Sequence, residues 1–425
     1  MKVYKFGGAS VRSAEGVKNL KHIVEDERGG LFIIVSAMGK TTNALEGVVD
    51  HFMAGRKNEA LAEFAAVENY HAGIITGLFD GGTTPPAVQK LYDEARAILA
   101  EEKPAESDFE RVYDAIVSYG ELVSTTIISE YLNAAGVRNR WVDMRRALIT
   151  DERFKYANVD MDASGTRLRA VVDEATAEGF QMFVGQGFIG ATPRGETTTL
   201  GREGSDYSAA VVASLLDAES VAIWKDVIGV LNADPKIFPE STFIPELTYL
   251  DAVELAFSGA QIIHPKTIKP LQNKNIPLHV RPFGDKFASG SVIRGEIATP
   301  IEVPILILKR GQVLLQVRPR DYSFVLEEKL GDIFAILEKF NTKVNLVQTS
   351  AVSMSLSIDR TRRLGELVRE LESHGFFVTH DEGMELLTIR GYTTAYLERY
   401  SRHAPDVLLA QRTRKILRLV RKETE

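Results

Sequence analysis

A lysine and a pair of glycines stand at the end of the first strand-like segment of this sequence. The opening residues, MKVYKFGGAS, alternate apolar side chains up to Phe6 and place Lys5 just before Gly7 and Gly8. Two glycines after a strand let the backbone turn tightly or approach another group closely. A lysine at the same point adds a positive charge, so this segment is typical of a site for an anionic ligand.

Further polar side chains occur near the ends of later strand-like segments, in a glycine-rich block and within one apolar helix. They are Ser36, Thr42, Glu121, Arg202, Ser205, Asp206, Lys225, Asp226 and the turn at 232–236. In a parallel α/β sheet the carboxyl ends of the strands share one edge, where ligands bind. Lysines, glycine-loop amides and a helix N-terminus suit a polyphosphate, and an arginine suits a carboxylate.

Each of these residues, taken alone, also has a simpler structural explanation. Lys5 taken alone is more typical of a solvated charge at a strand end than of a catalytic residue, and Glu121 is more typical of a helix surface or a buried ion pair. Arg202 and Asp206 have the spacing of an i,i+4 pair on a helix. Asp226 is typical of a turn. Their common location at strand ends is what favours a joint site.

Two familiar phosphate-binding patterns do not fit. The segment 39–41, Gly-Lys-Thr, lies between a strand and a helix, but a P-loop needs another glycine where Ile34 stands. Gly185, Gly187 and Gly190 satisfy G-x-G-x-x-G, but a polar, turn-rich stretch follows them where a dinucleotide site needs a helix. We therefore do not favour an NAD site.

The composition limits the class of protein. The chain has 425 residues, a net charge of −7 and no cysteine. A negative chain does not suit general nucleic-acid binding, and the lack of cysteine excludes disulfides, thiolate metal sites and thiol nucleophiles. No apolar run approaches the length of a membrane span, about 18 residues or more, and no signal-peptide pattern is seen. We expect a soluble cytoplasmic protein that binds neither nucleic acid nor membrane.

Strand and helix patterns alternate over the first 290 or so residues. Strands are predicted at 2–6, 31–37, 137–143, 180–185 and 220–225, a long helix from about Ser107, and a helix with Ser205 as its N-cap. This alternation predicts an α/β domain over 1–290, with a mostly parallel sheet sandwiched by helices.

The pattern changes after a stretch rich in glycine, serine and proline at 283–304. Between about 312 and 391 the order is strand, helix, strand, strand, helix, strand, which is the ferredoxin-like α+β arrangement. We assign 304–425 to a second region that contains this complete unit and a truncated second one.

Six segments in order resemble the aspartate kinases of the amino-acid-kinase family. They are KFGGAS, VSAMGKTTN, GELVS, GFIGATPRGETTTLGREGSDYSAA, KDVIGVLNADPK and ELAFSGAQIIHPKTIKP. The resemblance spans residues 1 to about 285, and the C-terminal region resembles the ACT domains that follow these kinases. It implies an amino-acid-kinase-like fold and transfer of the γ-phosphoryl group of ATP, with Mg²⁺, to the β-carboxylate of L-aspartate. The product, 4-phospho-L-aspartate, starts lysine, threonine and methionine biosynthesis.

The resemblance also assigns roles to residues of this sequence. It implies catalytic roles for Lys5 and Asp206. It implies aspartate binding by Ser36, Thr42, Glu121, Phe188 and Arg202, with Arg202 on the α-carboxylate and Glu121 on the amino group. It implies nucleotide binding by Lys5, Gly7, Gly8, Ser10, Lys225, Asp226, Leu231 and Lys236. No protein metal site is predicted.

The sequence departs from the family pattern in both the kinase-like and the ACT-like regions. Lys225 replaces a threonine and Gln261 replaces a nucleotide-contacting lysine, so we hypothesise that Lys225 compensates for the lost charge. Ala351 stands where an acidic residue often helps to bind an effector. A lysine or threonine effector is therefore an open expectation. Because ACT sheets commonly pair edge to edge, we expect a homodimer.

Two other functions remain as alternatives. One is a related amino-acid kinase that acts on another carboxylate, such as glutamate or a carbamate. The other is a non-catalytic amino-acid sensor that has a degenerate nucleotide site.

Overall fold

The computed structural model describes residues 1–201, 203–260, 263–298, 301–321, 324–325, 329–401 and 406–423. They form two compact units. The first comprises Met1–Val230, Ile244–Val253 and Ile262–Thr299, and the second comprises Leu231–Phe243, Glu254–Gln261 and Pro300–Glu425. The division into sequence domains at 290 and 304 stays a prediction.

An eight-stranded, mostly parallel sheet forms the centre of the first unit. Its strand order is β10-β12-β11-β7-β1-β2-β4-β3, and β11 and β12 are its antiparallel pair. The strands that precede β13 are β1 (Lys2–Phe6), β2 (Leu31–Val35), β3 (Arg140–Val142), β4 (Met182–Gln186), β5 (Ile189–Ala191), β6 (Thr197–Thr199), β7 (Ser220–Lys225), β8 (Val230–Leu231), β9 (Phe243–Ile244), β10 (Glu246–Thr248), β11 (Leu278–Pro282) and β12 (Ser291–Arg294).

The helices that precede β13 lie between these strands along the chain. They are α1 (Ala14–Val24), α2 (Thr41–Met53), α3 (Lys57–Leu78), α4 (Pro86–Ala100), α5 (Phe109–Val117), α6 (Tyr119–Ala134), α7 (Met144–Ala147), α8 (Met161–Ala177), α9 (Gly204–Leu215), α10 (Tyr249–Ser258) and α11 (Pro265–Lys274). Helix α6 packs on β2, β3 and β4, and α9 packs on β1, β2 and β7.

The central strand β2 is apolar along its whole length because both of its faces are covered. Every residue of β2, Leu31–Val35, is buried, as expected for a strand of a parallel sheet between helices. Its neighbour β1 pairs with β2 on one side and with β7 on the other, both in parallel. The polar groups that follow these strands therefore share one edge of the sheet.

Three expectations about local structure were wrong. The long helix from Ser107 is divided into a 3₁₀ turn (Glu106–Asp108), α5 and α6, and the break falls at Ser118. The Ser118 hydroxyl donates to the carbonyl oxygen of Ala115, a local bond of the kind that competes with regular helix bonding. The polar stretch after Ala191 contains β6, which pairs with β5 in a hairpin.

The third correction concerns the start of α9. Ser205 lies inside this helix, and the N-cap is Glu203, whose φ is 55°. The Ser205 side chain packs instead against Gly187, where a Cβ at position 187 would lie 2.4 Å from the serine Cβ. Gly187 therefore has no room for a side chain, which explains this glycine without a dinucleotide.

The second unit contains a six-stranded antiparallel sheet with the order β14-β15-β13-β16-β18-β17. Its elements are β13 (Ile305–Pro319), α12 (Leu330–Lys339), β14 (Val344–Thr349), β15 (Met354–Asp359), α13 (Leu364–Ser373), β16 (Phe376–Arg390), α14 (Thr394–Ser401), β17 (Val407–Arg412) and β18 (Ile416–Lys422). Helices α12 and α13 contribute Ile333, Leu337 and Leu367 to a core with the sheet residues Val313 and Leu356. The predicted fold class, a mostly parallel α/β sheet followed by an antiparallel α+β region, is confirmed.

Among the described residues, no helix is both long and apolar enough to span a membrane.

Candidate active site

A buried carboxylate lies between two ammonium groups at the ends of β1 and β7. Lys5 Nζ is 2.7 Å from Asp206 Oδ1, and Lys225 Nζ is 3.4 Å from Asp206 Oδ2. The lysines come from neighbouring parallel strands, and Asp206 comes from the first turn of α9. These three residues, which are 201 and 19 positions apart in the chain, carry a net charge of +1 when all are ionised.

The two lysines determine the charge state of Asp206. Burial by itself raises the pKa of this carboxyl, but the positive charges of Lys5 and Lys225 outweigh it and hold the pKa below its usual value. Asp206 is therefore ionised near neutral pH and holds both ammonium groups at the edge of the sheet.

Two backbone turns meet beside Lys5. The amide N–H of Gly39 donates to the carbonyl oxygen of Gly8 over 2.9 Å, and a Cβ on Gly8 would lie 2.4 Å from the carbonyl oxygen of Ala37. Only glycine permits this approach at position 8. The contact brings the turn after β1 and the turn after β2 to the same place, next to a lysine, as a phosphate-binding region requires.

Glu121 is buried in helix α6 and lies next to the turn that follows β2. Its Oε1 accepts a hydrogen bond from the N–H of Ala37 over 3.1 Å, and Oε2 has no protein partner among the described residues. Burial raises the pKa of Glu121 to about 8, although the Ala37 N–H and Lys5 act in the opposite direction. An unpaired carboxyl oxygen in such a place is suited to a ligand that carries a positive charge.

A cavity of about 780 Å³ joins these groups. The described residues from the sequence-based assignment that line it are Lys5, Gly7, Gly8, Ser10, Ser36, Thr42, Glu121, Phe188, Asp206, Lys225 and Asp226. The structure therefore brings these residues together, while their individual roles stay predictions. Leu231 and Lys236 belong to the second unit. Arg202 and Gln261 lie outside the described residues.

Sequence reasoning missed several residues of the cavity wall, including Glu46, Tyr113, Lys155, Thr199 and Trp224. Thr199 is the last residue of the short strand β6, and Lys155 belongs to the connection between α7 and α8. Neither residue lies at the carboxyl end of a strand of the main sheet. The expectation that polar residues at such strand ends share one edge therefore does not apply to them. The threonine run before Gly201 was the one visible signal.

The arrangement is suited to charge neutralisation more than to proton transfer. Ammonium groups and glycine-turn amides face a cavity large enough for a nucleotide and a small acid. Within the described parts of the chain, no three His, Asp or Glu side chains form a group that could hold a metal ion. With nucleotides, Mg²⁺ is usually held by one or two carboxylates together with the phosphates.

Comparison with known proteins identifies the group to which this site belongs. The amino acid kinase family matches residues 1–282. Lysine-sensitive aspartokinase 3 of Escherichia coli K12 is 32% identical over 361 residues, which cover 84% of this chain and 78% of the relative. The chloroplastic aspartokinase 2 of Arabidopsis thaliana is 32% identical over 393 residues, with coverages of 87% and 70%.

Solved structures show the same similarity. Aspartokinase III of E. coli in complex with aspartate and ADP (R-state) is 28% identical and has a TM-score of 0.81, covering 99% of this chain and 96% of that one. The complex of the same enzyme with lysine and aspartate (T-state) has the same TM-score and identity and covers 99% and 95%. With its lysine–aspartate–lysine cluster at the sheet edge and its similarity to these proteins, the chain belongs to the amino acid kinase family and, within it, to the aspartokinases.

Proposed function

We propose that this protein transfers the γ-phosphoryl group of MgATP to the β-carboxylate of L-aspartate and releases 4-phospho-L-aspartate and MgADP. The observation that carries the proposal is the convergence of Lys5, Asp206 and Lys225 with the buried carboxyl of Glu121 in one cavity. The relatives named as aspartokinases, and the one solved with aspartate and ADP, support it.

The geometry accounts for the reaction without a general base. A β-carboxylate oxygen attacks the γ-phosphorus, and the bond from that phosphorus to the β,γ-bridging oxygen breaks as ADP leaves. The attacking carboxylate is already ionised at neutral pH, so the protein contributes alignment and charge stabilisation. Lys5 neutralises charge on the phosphoryl group in transfer, and Asp206 holds Lys5 in place.

Mg²⁺ enters as part of the nucleotide substrate in this proposal. The acidic residues Asp206 and Asp226 line the cavity on the proposed nucleotide side, but Asp206 already contacts two lysines. One or two carboxylates together with substrate phosphates suffice for Mg²⁺. The bound ion would supply further charge neutralisation at the phosphates.

For the two substrates we retain the roles that the resemblance implies. Ser36, Thr42, Glu121, Phe188 and Arg202 bind aspartate. The nucleotide is bound by the glycine turn with Ser10, by Lys225 and Asp226, and by Leu231 and Lys236. These assignments are proposals, and the cavity lining supports those made for the described residues of the first unit.

A trapping assay tests the reaction. With the purified protein, MgATP and hydroxylamine, we expect an acyl hydroxamate to form with L-aspartate and not with L-glutamate. Lys5→Met should lower kcat at least a hundredfold, because a single charge-stabilising donor is worth about 10²–10³ in kcat. Lys18→Met, which changes an exposed lysine on α1, is the matched control. Hydroxamate from glutamate alone would replace the proposal with a related kinase, and failure to bind ATP would favour the amino-acid sensor.

A second measurement addresses Lys225. Lys225→Ala should raise the KM for ATP about tenfold with a smaller change in the KM for aspartate, because the variant removes one charge-assisted contact from the nucleotide side. An unchanged KM for ATP would defeat the idea that Lys225 compensates for Gln261.

We also propose that the second unit binds an amino-acid effector and forms a homodimer. The support for lysine is indirect: one relative is named lysine-sensitive, and a structure of that enzyme holds lysine. Aspartate rate curves with and without lysine or threonine, and sedimentation of the purified protein, test the two parts separately. A cytoplasmic location stays a prediction.

A further inference from the structure

Lys155 has an unusual backbone conformation for a lysine. Its φ is 65°, in the left-handed region that side chains with a Cβ rarely adopt. A non-glycine residue stays there when its surroundings determine the conformation, and such positions are concentrated at binding sites. The surroundings of Lys155 are therefore informative.

A buried carboxylate holds the backbone of Lys155. Asp114 is 0% exposed, and its Oδ2 accepts hydrogen bonds from the N–H of Lys155 over 2.9 Å and from the N–H of Thr199 over 2.8 Å. Its Oδ1 accepts from the Thr199 hydroxyl over 2.7 Å. Asp114 thus ties together two segments that both line the catalytic cavity.

The ammonium group of Lys155 rests on aromatic rings. Its Nζ lies 4.2 Å from the ring centroid of Tyr113 and 5.2 Å from that of Phe109. The negative face of an aromatic ring attracts an ammonium group, so these rings help to hold the lysine side chain in place. The Tyr113 hydroxyl donates to Glu46 over 2.6 Å, which fixes that ring at the cavity wall.

Lys155 is separate from the lysine–aspartate–lysine cluster of the cavity. Its described lining contains three lysines, of which Lys5 and Lys225 both contact Asp206. Those two face the nucleotide in the proposed reaction. Lys155 is the remaining described lining lysine, and it lies on the segment that Asp114 joins to Thr199.

We propose that Lys155 is a specificity-determining residue whose ammonium group binds the α-carboxylate of the acceptor amino acid, and that Asp114 is the positioning residue that holds it in the cavity. This inference rests on the proposed kinase function, since it assigns recognition of the acceptor amino acid to the ammonium group of Lys155. It gives this protein a cation for the acceptor in addition to the one expected at Arg202.

The kinetic test compares Lys155→Met with Lys155→Arg and with the control Lys90→Met, an exposed lysine on α4. In Lys155→Met we expect the KM for aspartate to rise about tenfold or more, the scale of one hydrogen bond to a charged group. The KM for ATP and kcat should stay within about twofold, and Lys155→Arg should retain most of the affinity. An unchanged KM for aspartate in Lys155→Met overturns the proposal.

An acceptor analogue separates recognition from a general structural effect. The α-amide of L-aspartate keeps the reacting β-carboxylate and lacks the α-carboxylate charge. Replacing L-aspartate by this amide should raise the KM for the acceptor strongly in the wild type. In Lys155→Met the same replacement should raise the KM by a several-fold smaller factor. An equal penalty in both proteins would overturn the assignment to the α-carboxylate.

A binding measurement keeps this proposal distinguishable from the kinase function itself. Trp224 lines the cavity, so its fluorescence can report a titration with aspartate in the absence of ATP. Weaker binding to Lys155→Met, in a protein that forms no phosphorylated product, would sustain the inference and reject the kinase. If the wild type forms product and Lys155→Met binds aspartate as tightly as the wild type does, the kinase function is sustained and the inference about Lys155 is rejected.

Discussion

At the scale of single residues, the proposed role of Glu121 would make aspartate binding depend on pH. Burial raises the pKa of Glu121 to about 8, so the carboxyl is mostly neutral at pH 7 in the free protein. In the proposed role of Glu121, the positively charged amino group of aspartate would bind the ionised form. Binding below pH 8 therefore releases a proton from this site.

We expect the KM for aspartate to fall as pH rises from 6 to 8 and to level off above about 8.5. Each pH unit below the pKa costs up to tenfold in affinity, about 1.4 kcal/mol. Steady-state kinetics across this range measure it. In Glu121→Gln the KM should be higher at pH 8.5 and nearly independent of pH. A pH profile that is the same in both proteins would exclude Glu121 as the group responsible.

The same raised pKa has a consequence for stability. Because the folded pKa of Glu121 lies above its unfolded value of 4.5, the folded protein binds this proton more tightly. The corresponding stability is fully present below about pH 4.5 and is lost as pH rises through about 8. Glu121→Gln resembles the protonated form, so its melting temperature should exceed that of the wild type by an amount that grows from pH 5 to 8.5. A difference that is constant with pH contradicts this.

At the scale of elements, helix α3 braces the turns that form the phosphate-binding region. Tyr70 of α3 donates from its hydroxyl to the carbonyl oxygen of Arg12 over 2.7 Å. A Cβ on Gly39 would lie 2.4 Å from the same hydroxyl oxygen. Tyr70 therefore touches both the turn after β1 and the turn after β2.

Removing this hydroxyl should loosen both turns at once. For Tyr70→Phe we expect the KM for ATP to rise three- to tenfold and the KM for aspartate to change less, since one hydrogen bond is worth about 1 kcal/mol. Tyr92→Phe is the matched control, because the Tyr92 hydroxyl is buried and has no partner among the described residues. The claim fails if both variants have the nucleotide affinity of the wild type.

The elements themselves were predictable where a single physical cause acts. Apolar segments such as 31–35 and 221–224 predict buried strands, and the strand–helix alternation then predicts a parallel sheet. Local detail was not predictable in the same way. The strand β6 is three threonines long, and it is a strand because it pairs with β5. The left-handed conformation of Glu203 at the start of α9 and the packing of Ser205 against Gly187 are two local features that residue spacing does not reveal.

At the scale of the whole molecule, the same limit applies to the site. Residues at strand ends, such as Lys5 and Lys225, could be assigned to one edge from the sheet topology alone. Asp114 and Thr199 are 85 residues apart and meet through hydrogen bonds across the fold. A buried aspartate in a helix gives no sequence signal of its partner, so Asp114 and Lys155 could be found only in the structure.

The division into two units does not follow one cut in the chain. Residues 231–243 and 254–261 belong to the second unit although most of the neighbouring sequence belongs to the first. Within the second unit, the N–H of Leu306 donates to the carbonyl oxygen of Asn232 over 2.8 Å, and the Asn232 side chain donates to the carbonyl oxygen of Pro304 over 2.8 Å. Ala233 packs with Leu306 and Leu387 in one apolar core.

A chain that ends at residue 299 would therefore keep Asn232 and Ala233 and lose the strands that cover them. We expect such a truncated protein to aggregate or to melt well below the full chain. In the full chain, Asn232→Ala should lower the free energy of unfolding by about 2 kcal/mol, because it leaves the carbonyl oxygen of Pro304 and the N–H of Thr242 without this partner. Size-exclusion chromatography and thermal melting measure both effects, with the exposed Lys18→Met as the control. A monodisperse 1–299 fragment that unfolds cooperatively at the temperature of the full chain would mean that residues 231–243 need nothing beyond position 299, and that the first 299 residues form an independent kinase domain.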